Sequence, residues 1–236
     1  MKKFILMFIA LLIAVVIAVY IYFDAVIKYS IETYGSRAIN SQISVGAVSI
    51  SLKEGLVLIK RVQIANPSGF KETNVFELND IKVSLDIKSI FSKLIKVNYI
   101  HINGPTIIYE LGPLGDNLIA FKTKVHSNPN ASQSSSSDPE QVKKIIISDF
   151  RIINAVATVS LAQLAQKSIK IPDIQISEIG QSQGGITVSE ASKQITDEVI
   201  KVVIASNTQK LLEKVDSLMN KDEITNQTKG LLKKLF

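Results

Sequence analysis

The residues best able to do chemistry in this chain are two histidines, His101 and His126, and three aspartates, Asp80, Asp149 and Asp173, which recur at equivalent places of a repeated pattern. Converging carboxylates would suit a hard divalent cation. The repeat spreads the aspartates over different strands, where protecting a sheet edge or a bulge explains them. His101 alternates with Ile100 and Ile102, on the polar side of its strand, and His126 opens a serine-rich stretch, so neither is placed as a ligand or general base. The chain lacks cysteine, which excludes disulfides, thiol catalysis and thiolate metal sites. It has no phosphate-cradling Walker loop, dinucleotide turn, nucleophile elbow or zinc spacing. "GGITVSE" offers only two glycines ahead of a helix, read as a loop. No catalytic residue, metal or cofactor is expected, and the chain reads as a non-enzyme.

A net charge of +6 is scattered, without the basic-aromatic interleaving of a nucleic-acid face, and no nucleic-acid partner is expected. The opening run, "FILMFIALLIAVVIAVYIYF" from residue 4 to 23, carries no charge, and about 20 helical residues reach about 30 Å, the thickness of a bilayer core. With Lys2 and Lys3 before it and Asp24 after it, it reads as an uncleaved signal anchor. The first three residues are then cytoplasmic, and the expected partner is a membrane crossed once. Residues 24–42 read as a juxtamembrane amphipathic helix.

The elements that follow are mostly strands. Apolar residues recur at n, n+2, n+5 and n+7: Val57, Ile59, Val62, Ile64; Phe76, Leu78, Ile81, Val83; Ile95, Val97, Ile100, Ile102; Ile145, Ile147, Phe150, Ile152; and Ile169, Ile171, Ile174, Ile176. Helical winding would spread these offsets round the whole circumference, so they make no amphipathic helix. On a strand, the odd step of three moves the second pair to the other face unless a bulge absorbs a residue. Recurrent bulges predict a strongly curved antiparallel sheet with an apolar concave side, over a β region at 43–125 and a second at 142–186. "NGPTIIYEL" (103–111) and "INAVATVSL" (153–161) align at a constant offset, each a strand, a kink and a second strand. "SIFSKL" reads as a turn whose Ile90, Phe91 and Leu94 close the sheet's end. Residues 126–141 are a polar, serine-rich loop. Thr187 and Glu190 form a capping box opening a helix at 188–219, inside a helical region 187–236. Its apolar stripe is expected on the sheet or across the trough mouth. The fold class is therefore α+β, mainly β: an N-terminal transmembrane helix, a curved antiparallel groove with recurrent bulges, and a long C-terminal amphipathic helix.

The anchor, "ISVGAVSISLKEGLVLIKRVQIANPSGF", "FELNDIKVSLDIKSIFS" and "IKVNYIHINGPTIIYE" together resemble the AsmA family of bacterial envelope proteins, over roughly residues 1–111. The resemblance implies a periplasmic β domain related to repeating-β-groove lipid-transfer proteins, held at the inner membrane as a single-pass protein with most of the chain in the periplasm. It implies a role in envelope lipid homeostasis or phospholipid transfer, with lipid acyl chains as partner. Ile81, Val83, Ile100, Ile102, Phe150 and Ile152 are the groove candidates. The alternative is an assembly or scaffold factor that binds a protein partner, or itself, by a sheet edge and carries no lipid. The apolar pairs serve equally as the core of a β domain under a helix.

Overall fold

A computed structural model describes residues 24–112, 115–128, 143–161 and 164–219, with Lys3, Phe4, Met7, Phe8 and Leu11. Helical residues 24–30 continue through a π turn (Ile31–Gly35) into α1 (Ser36–Ile39), which ends at the left-handed Asn40. Ten strands follow in one sheet: β1 (Ile43–Ser51), β2 (Leu56–Ala65), β3 (Asn74–Leu85), β4 (Leu94–Asn103), β5 (Thr106–Gly112), β6 (Gly115–Asp116), β7 (Lys144–Ile153), β8 (Val156–Leu161), β9 (Leu164–Lys170) and β10 (Ile174–Ile179). Helix α2 (Asn117–His126) lies between β6 and β7, and α3 (Val188–Met219) closes the described chain.

The sheet is mixed, which corrects the antiparallel expectation. β1 to β4 form an antiparallel meander, but β7 runs parallel to β4 and β8 parallel to β5. The cause is the crossover: after β5 the chain leaves the sheet through α2 and re-enters at the level where β4 began, so the next strand has the same direction. β4 with β5, β7 with β8, and β10 with β9 are three long strands, each bent once.

The recurrent bulges are corrected too. Of the breaks in the apolar pattern, only the one in β4 shifts a register: Ser84 faces Tyr99 while Leu85 faces Val97, leaving Asn98 as the extra residue. The others keep register because neighbouring strands bend opposite one another. Val45↔Val62 and Ala47↔Lys60 flank Gly46 and Arg61; Lys60↔Asp80 and Val62↔Leu78 flank Arg61 and Asn79. The same row continues through Gly104, Asn154 and Pro172, between Asn103↔Ile153 and Thr106↔Val156 on one pair and Ile174↔Ile152 and Val156↔Lys170 on the next. Along this crease Arg61, Gly104 and Asn154 have φ of 52°, 61° and 56°. A left-handed residue restarts the side-chain alternation. Thus Ile59 and Val62, three apart, are both buried while Lys60 and Arg61 are exposed.

Apolar rows on both sides of the crease therefore share one face, and every residue of the five-fold pattern except Ile95 belongs to, or packs against, a single core. Helices α2 and α3 complete that core with Leu118, Phe121, Val125, Ala191, Val199, Ile200 and Val203. Thr187 and Glu190 cap α3 reciprocally: the Thr187 N–H donates to Glu190 Oε2 at 2.8 Å, and the Glu190 N–H to Thr187 Oγ1 at 3.2 Å.

Among the described residues no helix is long and apolar enough to cross a membrane, so the described fold, against expectation, contains no transmembrane helix. The longest, α3, carries Glu190, Lys193, Asp197, Glu198 and Lys201 in its first half, the pattern of a helix packed on one face. Apart from Phe4, Met7, Phe8 and Leu11, all exposed, the stretch 4–23 lies outside the described residues, as do most of the serine-rich loop and the chain beyond Met219.

Candidate functional site

The six groove candidates come together as the centres of two cross-strand ladders. One is Val48–Ile59–Ile81–Ile102–Ile152–Ile174, and the next, further from the crease, is Ile50–Val57–Val83–Ile100–Phe150–Ile176. Alternation puts both on the core face. They differ in cover. Every residue of the first ladder is buried, whereas Ile50, Val57, Val83, Ile100 and Ile176 of the second are half-buried, leaving Phe150 as its one buried member. Ile81, Ile102, Phe150 and Ile152 thus belong to the core, and Val83 and Ile100 to an apolar margin open to solvent.

The cover has two sources. Phe76 meets Phe121 of α2 edge to face at 5.4 Å. α3 is tied across α2 by Asp197, which accepts from His126 Nε2 at 2.8 Å and pairs with Lys122 Nζ at 3.1 Å. Asn128 Nδ2 donates to the carbonyls of Arg37 and Ala38, fastening α1 to the same layer. Burial opposes ionisation of Asp197, but the His126 and Lys122 hydrogen bonds outweigh it and hold the carboxyl below its ordinary value.

The "IANPSGF" turn is held by a buried polar cluster that sequence reasoning missed. Glu110 accepts from the Lys71 and Glu72 N–H groups at 2.8 and 2.9 Å, and Asn117 Nδ2 donates to Asn66 Oδ1 at 2.9 Å and to the Ile108 carbonyl at 2.8 Å. Beside it Asp116 caps α2 through the Leu118 and Ile119 N–H groups. Burial raises the Asp116 carboxyl, and burial together with Asp116 drives the Tyr109 hydroxyl far above its usual range. These bonds satisfy buried polar atoms and fix the turn to β5.

The opposite face holds the partner that His101 was expected to lack. Parallel pairing of β4 with β7 brings His101 Nε2 to 2.9 Å from Asp149 Oδ2. Arg151 Nε lies 2.8 Å from the same oxygen, Gln175 Nε2 donates to Oδ1 at 2.9 Å, and Tyr99 stacks on the imidazole at 4.4 Å. Burial opposes ionisation of Asp149, but these donors hold its carboxyl below the ordinary range. Both its oxygens are occupied, so it joins three strands as an acceptor. Asp173 accepts from the Asn154 N–H at 3.2 Å, bracing the crease. Asp80, Asp149 and Asp173 therefore do not converge, and the described residues contain no cluster of three metal-ligating side chains. On the outer side of β1, Glu32 Oε1 accepts from the Val45 N–H at 2.8 Å, closing part of that sheet edge.

Comparison of the chain with protein-family models and with curated proteins gives no match.

Proposed function

We propose that this chain is a non-enzymatic lipid-binding protein whose creased apolar face receives an acyl chain along the margin formed by Ile50, Val57, Val83, Ile100 and Ile176. The carrying observation is the contrast between the two ladders: every residue of one is buried, while its neighbour, apart from the buried Phe150, presents a row of half-buried branched aliphatic side chains. Such a row is non-directional and contains no polar side chain, which suits a hydrocarbon chain. The resemblance to the AsmA family supports a role in envelope lipid homeostasis.

The test is mass spectrometry of solvent-extracted full-length protein, purified without added lipid, compared between the parent and two variants. Ile100→Asp, at a half-open site, is expected to keep the fold and lose co-purifying lipid. Phe150→Ala removes a buried ring and is expected to destabilise by about 3–5 kcal/mol. Lipid retained at parental stoichiometry by a folded Ile100→Asp protein would end the assignment of the margin.

A further inference from the structure

The end of the sheet opposite the crease, where β1 turns into β2, β3 passes to β4 and β7 begins, brings together two apolar side chains and a set of lysines. Phe91 is 91% exposed, the most exposed large hydrophobic side chain described, and Leu52 is 57% exposed. The expectation that Phe91 closes the sheet's end is thereby corrected. Its turn is rigid: Asp86 Oδ1 accepts from the Lys88 N–H at 3.0 Å, Ser89 Oγ donates to the Asp86 carbonyl and accepts from the Lys96 N–H, and Lys143 Nζ donates to the Ile90 carbonyl at 3.0 Å. These bonds hold the apex outward, so the ring is not a core side chain adrift in a slack loop. The Leu52 turn adjoins it, since the Leu85 N–H donates to the Gly55 carbonyl at 2.7 Å.

Lys53, Lys88, Lys143 and Lys144 are exposed around these two tips, against the carboxylates Glu54, Asp86 and Glu190, of which Asp86 already accepts from Lys88 N–H and Glu190 lies near Lys144. Bulky apolar points set apart among long basic side chains make a poor protein hot spot, which needs a contiguous desolvated patch. They suit the headgroup layer of a bilayer, where apolar tips enter the interface and lysines meet lipid phosphates.

We propose that this strand end docks on an anionic lipid surface, with Phe91 and Leu52 entering the interface and the lysines engaging lipid phosphates. The assignment concerns an end of the sheet, not its apolar margin, and stands without the acyl-chain reading.

The parent contains no tryptophan, so Phe91→Trp in the full chain is a fluorophore at the docking point with a silent background. With vesicles of phosphatidylcholine and phosphatidylglycerol its emission is expected to shift to the blue and resist aqueous quencher, and the shift should fade as salt screens the surface. Leu52→Trp should behave alike, whereas Ile153→Trp, beside the crease, should not shift. Adding Lys53→Glu and Lys88→Glu should remove the Phe91→Trp response. A water-exposed Phe91→Trp signal on vesicles that carry the protein would overturn the proposal, since the chain would then be held elsewhere. Equal shifts on pure phosphatidylcholine, or at Ile153→Trp, would overturn it as well.

Discussion

Arg61 has a backbone that arginine seldom adopts, with φ of 52°, and it does so opposite a glycine. A Cβ on Gly46 would stand 2.6 Å from Arg61 Nε and 2.9 Å from its Cβ. The crease at this rung thus depends on one residue tolerating strain and its neighbour having no side chain. Gly46→Ala is expected to cost about 1–3 kcal/mol by overpacking; an unchanged denaturation midpoint would contradict this. Gly104 differs, with φ of 61° but nothing within 4 Å of a built Cβ. Gly104→Asn should be tolerated better than Gly104→Ala, because asparagine adopts the left-handed region more readily and Asn154 already does so in the next strand. Residue type alone hid the crease at Arg61, and it also hid the left-handed Glu178, whose φ is 58° and which lies opposite Ser148, well away from the crease. Neither announces a left-handed backbone as glycine or asparagine does. The partner of His101 is hidden for a related reason, since Asp149 approaches only after two distant strands pair.

Elements were more legible. The n, n+2, n+5, n+7 pattern marked β2, β3, β4 and β7 as strands and the crease in β2 and β3, because burial on one face demands it. In β4 and β7 it breaks at 98–99 and 148–149, short of the crease at Gly104 and Asn154. The constant offset between 103–111 and 153–161 was itself the parallel register: Ile107, Tyr109 and Leu111 pair with Ala157, Val159 and Leu161. A constant difference means parallel strands and a constant sum means antiparallel ones, so the numbering carries the strand direction as well as a repeat. Ties between elements are partly ionic. Asp149, Asp197 and Glu190 all titrate below their ordinary values in the folded chain, Glu190 through hydrogen bonds from Thr187. Such carboxylates contribute stability that is complete above the unfolded value of about 4 and is lost as pH falls through the depressed folded value. Asp116, raised by burial, has the opposite sign: its contribution is present at low pH and is lost as pH rises. Asp149→Asn should therefore lower the urea midpoint near neutral pH and flatten its decline below about pH 4. Parallel midpoint curves for parent and variant would show that the tie adds nothing.

At the scale of the whole molecule, one mixed sheet is creased along a single row, covered on its apolar face by α1, α2 and α3, and left half-covered along the Ile50–Ile176 ladder. The helix expected to lie on the sheet or plug the trough packs against α2 and beside β7 and β10, while the margin stays half-buried. The central claim is that this margin holds an acyl chain. Its most direct test is photo-crosslinking of the full-length protein with a phospholipid carrying a diazirine at the end of its acyl chain, followed by peptide mapping. Crosslinks concentrated on residues 50–57, 83–85 and 100 are the result expected. Crosslinks confined to other parts of the chain, with those peptides unlabelled, would contradict it.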